Sequence, residues 1–426
     1  MEIPLKCLIT VEMGKGTPVG RAVQAAELEM DAPKHVFLML FVLTDRKKPD
    51  SFFKPYYDIL PPTLSNMPIF WGVDELKWLE GSYLLQQVED RKLAISHDYH
   101  SICEVYPQFR DIATLSDFMW ARMCVCSRNF GLVVNGVRTS ALVPYADMLN
   151  HFRPRETKWT FDNDRQAFTI TTLQTIQSGA QVYDSYGQKC NHRFLLNYGF
   201  AIENNVEADG FCPNEVPIEL RLNENDAVHH RKVSFWRVDG TPSLKRIRIN
   251  VSDHDSTKNM LSLLRVIEAD EAEFAIIEGG SRFIYRTPHD VRFPMSLRNE
   301  EAVMRRMMSI MQGYLNAYPT SLEENIEMLS GKDHVATVPH FSNRRHALVQ
   351  VKGEKVVLRH YLDMAETALA CMAAKTEIEM AVLCQDKHKL VQNYVMNVLA
   401  QIKRQEKAKV ERLDSGFVMG PGPTIV

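Results

Sequence analysis

Two stretches decide how this chain reads: Val143-Pro144-Tyr145-Ala146-Asp147-Met148-Leu149-Asn150-His151, and further on Gln181-Val182-Tyr183-Asp184-Ser185-Tyr186-Gly187. Behind the second come Asn191 and the run Asn197-Tyr198-Gly199-Phe200. An Asn-His or a Tyr-Gly pair alone most simply marks a cap or a turn. The order, spacing and flanks of these pairs carry more. They lie among short β-rich runs, Leu132–Val134, Ala141–Val143, Phe168–Leu173 and Gln181–Tyr183. Turn signals separate the runs at Asn135-Gly136, Asp162-Asn163-Asp164 and Ser178-Gly179.

On either side the texture is helical. Residues 20–115 alternate apolar and polar at helical spacing, and Leu76, Leu79, Tyr83, Leu84 and Val88 fit one helix face. A further helix is predicted from Ser116 to Cys126, with Ser116 as its N-cap. Gly14-Lys15-Gly16 reads as a turn, because no phosphate-binding pattern follows it. Beyond about Glu207 the chain is mostly helical. Asn299 with Glu300 and Glu301 starts a helix on which Val303, Met304, Met307, Met308, Met311, Tyr314 and Leu315 recur, a core stripe rather than a soft binding face. Thr320 and Glu323 have capping-box spacing, Lys403 to Arg412 reads as the solvated end of the last helix, and Ser415 to Val426 as a flexible tail. The pattern is α+β.

Composition bounds the function. A chain of 426 residues with 45% hydrophobic and 24% charged residues is globular, and its formal net charge of −3 attracts neither nucleic acid nor an anionic membrane. The longest nearly unbroken apolar run, Val36 to Leu43, falls far short of a membrane span. The cysteines are scattered. Cys124 and Cys126 lie close together, but no second pair completes a zinc site, so no metal is expected. Unpaired cysteines suit a reducing compartment, which leads to an expected cytoplasmic location, with the nucleus also open.

The Asp147-Met148-Leu149-Asn150-His151 form, the Tyr186-Gly187 pair and the closing Asn197-Tyr198-Gly199-Phe200 resemble the third and fourth motifs of SET-domain protein methyltransferases. The resemblance is to the branch typified by the Rubisco large-subunit methyltransferase, which includes lysine and actin-histidine methyltransferases. It extends to Ser51-Phe52-Phe53-Lys54-Pro55-Tyr56, Ser127-Arg128-Asn129-Phe130, Leu264-Arg265-Val266, Ala317 to Glu323 and Arg344 to Leu358. It implies a SET domain over residues 1–206, with a helical insert at about 20–115 and a catalytic core at about 116–206. A helical substrate-binding domain would follow over 207–412, and a flexible tail over 413–426.

The resemblance also implies a chemistry. S-adenosyl-L-methionine is the expected cofactor, held by Arg128, Asn150, His151 and Tyr186, with Tyr186 as the catalytic hydroxyl beside the methyl-transfer channel. Phe130, Tyr145, Tyr198 and Phe200 are the expected substrate-binding residues. Asp147 is expected to be structural, Tyr183 a core strand residue, and His192 an exposed helix residue. The branch's G-x-G segment would lie upstream of Ile3, so the expectation is a chain lacking it. Alternatives are therefore an inert SET-like binding module or an incomplete sequence. The partner implied is a protein, and the lack of a cysteine-rich zinc segment after Phe200 favours a non-histone one. Actin-histidine enzymes carry asparagine where this chain has Phe130. Phenylalanine cannot hydrogen-bond an imidazole, which makes lysine the expected acceptor and histidine the alternative.

Overall fold

The sheets grow from tight turns. The strands of the first part of the chain are β1 (Glu2–Pro4), β2 (Ile9–Thr10), β3 (Asn129–Val134), β4 (Val137–Leu142), β5 (Asn150–His151), β6 (Thr157–Asp162), β7 (Ala167–Thr172) and β8 (Tyr183–Asp184). Asn135 and Gly136 take φ of 49° and 82°, the left-handed pair that a two-residue hairpin needs to follow the twist of its strands. That turn sets β3 against β4 with Val134 opposite Val137 and Phe130 opposite Ala141. Three sheets result: β1-β7-β6, β2-β4-β3 and the parallel pair β5-β8. Their inner faces share Ile3, Leu8, Leu132, Ala141, Val143, Phe161, Phe168 and Ile170. Each large side chain so buried contributes about 1.5–3 kcal/mol.

The computed structural model describes residues 1–237, 244–279, 285–331 and 338–414. The expected tail lies outside the described residues from 415 on, while 413 and 414 still belong to the helix Ala400–Asp414. The chain divides into two compact units. The first takes Met1–Pro213 with Glu323–Lys352, and the second takes Asn214–Leu322 with the residues from Gly353 on.

In the first unit the apolar run is the helix Pro33–Asp45, whose Leu38, Met39, Leu40 and Leu43 are fully buried. It crosses the short helix Val11–Lys15 so closely that a Cβ on Gly14 would sit 1.9 Å from the Phe37 carbonyl oxygen. Gly14 is thus a contact point inside a helix, and the expected turn is corrected. The helix face expected from Leu76 to Val88 is also broken. Gly81 takes φ 82°, and Ser82 caps a new helix, Tyr83–Val105. The helix predicted from Ser116 runs from Leu115 to Arg128. Thr114 caps it, its hydroxyl accepting from Asp117 N–H at 3.1 Å while Asp117 accepts from Thr114 N–H at 3.0 Å. The nearer hydroxyl lost because only Thr114 has extended backbone and an acid three residues on.

The second unit begins with a hairpin that the helical reading passed over: β9 (Glu215–Arg221) against β10 (Leu244–Asn250). The helix expected at Asn299 starts at Leu297 under a Ser296 cap, and Val303, Met304, Met307 and Met311 are fully buried, as a core stripe requires. The helix after Thr320 begins at Leu322, and from Glu323 on it belongs to the first unit. A buried pair pins the helix Leu297–Asn316 to His254–Glu268. Arg265 Nε and Nη2 donate to the two Glu300 oxygens at 2.9 and 2.6 Å, Tyr394 OH donates to the same carboxylate, and Arg265 Nη1 reaches the Arg292 carbonyl at 2.6 Å. Lys403 turns inward rather than to solvent. It donates to the carbonyls of Cys371, Met372 and Ala374, which close the helix Asn343–Ala373. No helix among the described residues is long and apolar enough to cross a membrane.

Candidate active site

The motif residues meet because β5 and β8 pair in parallel, Asn150 opposite Tyr183 and His151 opposite Asp184. That pairing brings the chain beyond Asp184 back over His151. The Tyr186 backbone N–H then donates to His151 Nδ1 at 3.0 Å. A ring nitrogen that accepts carries no proton, so the neutral imidazole holds its hydrogen on Nε2. Burial first, then the charges of Arg153 and Lys189, push the His151 pKa down to about 4. Its Nε2 is buried with no protein partner.

Tyr186 OH donates to the Leu149 carbonyl at 2.9 Å. The ring lies on Tyr198 at 4.8 Å between centroids and on His151 at 5.2 Å. Phe200 and Phe194 continue the stack, 5.1 Å from each other, and Phe200 lies 6.2 Å from His151. Enclosure of this kind disfavours the phenolate. Burial raises the Tyr186 pKa to about 12, Arg128 pulling the other way and Asp184 and Asp147 adding to the rise. Tyr186 is therefore a neutral hydroxyl, unsuited to act as a base. Two local devices hold this geometry. Gly199 ends the helix Asn191–Tyr198 at φ 77°, with Asn66 packed where a Cβ would stand. Asn191 clamps the Ile202 backbone through two bonds of 2.9 Å.

A cavity of about 190 Å³ opens beside Tyr186, lined by Arg128, Phe130, Ala146, Leu149, Lys189 and Tyr198 among others. Arg128 Nη1 donates to the Asp147 carboxylate and carbonyl, each at 3.2 Å, and Tyr56 OH donates to the same carboxylate at 2.8 Å. Burial pushes the Asp147 pKa up against the pull of Arg128 and Tyr56. The arrangement is incomplete, since Arg128 Nε and Asp147 Oδ1 are buried without partners. The one guanidinium donor left open beside a neutral hydroxyl can receive a carboxylate, and the volume suits part of a ligand, since whole-ligand pockets run to about 300–1,000 Å³. Phe130, which lines the cavity, packs in T-shaped contact with Trp159 at 5.2 Å and with Phe168 at 5.0 Å.

Some expected site residues fall elsewhere. Tyr145 is 69% exposed at φ 78° and does not line the cavity, whereas its neighbour Ala146 does. Asn150 is exposed, and His151 and Phe200 stand behind Tyr186 in the ring stack rather than on the cavity wall. His192 is buried, 4% exposed, with its ring edge-on to Tyr83 and Nε2 at 3.3 Å from Cys190 Sγ, which corrects the exposed reading. Sequence reasoning missed Ala146, Trp159 and Lys189. Lys189 stood three residues past Tyr186 and could have been flagged. Its ammonium donates to the Tyr186 carbonyl, and burial, reinforced by Arg193, lowers its pKa. Trp159 comes from β6 and carried no signal.

Comparison with known proteins gives three findings. Residues 223–358 match the family described as Rubisco LSMT substrate-binding. The actin-histidine N-methyltransferase of Xenopus tropicalis is 26% identical over 344 residues, 78% of this chain and 57% of that protein. The one from Homo sapiens is 26% identical over 377 residues, 85% of this chain and 61% of that protein. The chain thus spans about 57–61% of the length of these curated relatives. The crystal structure of the LSMT SET domain bound to methyllysine and AdoHcy matches with a TM-score of 0.70 at 22% identity, covering 91% of this chain and 87% of that one. Rubisco LSMT bound to AdoMet matches at 0.67 and 21%, covering 98% and 89%. The chain has the LSMT SET fold with a helical region after it, and it resembles the SET-domain protein methyltransferases of the Rubisco large-subunit methyltransferase class.

Proposed function

We infer that the protein is an S-adenosylmethionine-dependent protein N-methyltransferase whose acceptor is a lysine side chain. The observation that carries this reading is the neutral Tyr186 hydroxyl, held on the Leu149 carbonyl at the wall of a cavity with aromatic sides. When bound, S-adenosylmethionine supplies a sulfonium methyl group open to in-line attack, the new C–N bond forming as the C–S bond breaks. Arg128, on the cavity wall, would hold its polar end, and its open Nε is a donor of the right kind for a carboxylate, while His151 supports the site through Tyr186.

The chain's own residues then position and desolvate, which is most of what such a displacement needs. A lysine of pKa about 10.4 costs roughly 4 to 5 kcal/mol to deprotonate at neutral pH. Walls such as Phe130 and Tyr198 lower that cost by disfavouring the ammonium form, and the proton leaves to solvent before transfer. Tyr186 orients the neutral amine. Phe130 supports lysine, because its ring offers an imidazole no hydrogen bond.

A histidine acceptor is the second reading, favoured by the activity named for the two relatives. The expected substrate is a non-histone protein of the cytoplasm, a compartment that suits the eight free thiols. The test is transfer of radiolabelled methyl from S-adenosylmethionine to an arrayed set of purified proteins, followed by acid hydrolysis and amino-acid analysis. Label in methyllysine supports the proposal. Label in methylhistidine alone overturns the acceptor, and none under any condition leaves a binding module.

A further inference from the structure

The second unit holds a cavity of its own, about 480 Å³, a volume within the range of small-ligand sites. Four segments wall it: the helix His254–Glu268, the loop at Arg292–Pro294, the helix Asn343–Ala373, and the helical run from Lys389. Leu261, Met364 and Val398 give it an apolar interior. Tyr394 closes one side with its hydroxyl already committed to Glu300, which Arg265 neutralises.

Thr257, Asn393 and Asn397 add neutral polar groups to the lining, Arg265 is spent on Glu300, and the other basic side chains stand at the rim. His254, Lys258 and Arg292 are exposed there. Lys258 has Asp255 at 3.1 Å, but Arg292 has no carboxylate partner among the described residues. Beside it Phe293 is 77% exposed, an aromatic ring left in water at the mouth of an apolar hollow.

A second feature marks the same place. The run that starts at Lys389 changes to a π-helical turn at Val395–Leu399 before continuing as Ala400–Asp414. Such turns are rare and recur at functional sites, where the wider turn re-aims side chains. Here its Asn397 and Val398 face the cavity.

We propose that this cavity binds a small amphiphilic carboxylate, its aromatic or aliphatic body against Leu261, Met364 and Val398 and its carboxylate on the Arg292 guanidinium. An apolar body gains by leaving water, and a guanidinium offers paired donors that match a carboxylate. The site is separate from the methyl-transfer reading and stands or falls without it.

Isothermal titration of the full chain with octanoate, indole-3-acetate and octanol tests this. The expected result is saturable one-to-one binding of a carboxylate, with octanol weaker by about tenfold or more, the worth of one charge-assisted bond. Arg292→Glu should remove that preference and leave octanol unchanged, and Val398→Trp should fill the cavity and abolish all binding. No saturable binding of either carboxylate at millimolar concentration, or binding unaltered in both variants, overturns the proposal. Should Val398→Trp fail to fold, the octanoate-to-octanol ratio of Arg292→Glu decides alone.

Discussion

Each unit places an arginine against a buried carboxylate, and the two pairs differ in completeness. In the second unit Arg265 and Glu300 meet through two parallel bonds, with Tyr394 and the Arg292 carbonyl taking up further capacity. In the first unit Arg128 reaches Asp147 through one nitrogen at 3.2 Å, and Arg128 Nε and Asp147 Oδ1 are left open. A closed pair has nothing left to offer and serves to lock two helices. An open pair costs stability unless a ligand completes it. The contrast separates scaffold from site using the same pairing of guanidinium and carboxylate.

The largest effect should come from breaking the closed pair. Glu300→Ala leaves Arg265 buried and uncompensated, at a cost of about 3–5 kcal/mol in urea unfolding. A loss below about 1 kcal/mol would mean the pair is not the lock described. Next comes Tyr186→Phe, which keeps the ring stack and removes the hydroxyl. Methyl transfer should fall about 10²–10³-fold in kcat, as when one oriented donor is lost, with the melting temperature nearly unchanged. Full activity in that variant would remove Tyr186 from the chemistry.

Arg128→Met should cost less stability than Glu300→Ala, roughly 1–2 kcal/mol, because Asp147 keeps Tyr56 and can take up a proton. Its main effect should be weaker calorimetric binding of S-adenosylmethionine. Equal stability losses in the two variants would erase the distinction between the pairs.

The smallest effect is on pH dependence. His151 is neutral in the folded chain down to about pH 4, against an ordinary value of 6.5. The unfolded chain therefore binds more protons between those limits. The His151 contribution is fully present above pH 6.5 and is lost as pH falls toward 4. His151→Gln should flatten the stability-versus-pH curve in that window relative to the parent, and curves of identical slope would contradict the burial of the ring. His35 and His360 are lowered in the same direction by burial, so the difference between curves is the informative quantity.

Much of the site was legible because it is local. Asn150-His151 and Tyr186-Gly187 stand where two short strands end, and strand and turn chemistry is written within a few residues. Helix starts were legible to within a turn but not to the residue. Thr114 and Ser116 are both competent caps, and the choice between them lay with backbone direction and Asp117. The helical reading past Glu207 hid the β9–β10 hairpin, whose partners lie on either side of a helix, His229–Trp236.

The sequence by itself determined the residue types at the site, the α+β texture and the apolar stripe of the helix Leu297–Asn316, since each follows from periodicity or from neighbours along the chain. Only the tertiary structure decided which side chains share the cavity. Tyr145 points out while Ala146 lines the wall, because Tyr145 sits at φ 78° just before a tight turn. His192 is buried with the Tyr83 ring, distant in sequence, among its neighbours. The placement of these two side chains is set by groups far apart along the chain, which no local pattern encodes.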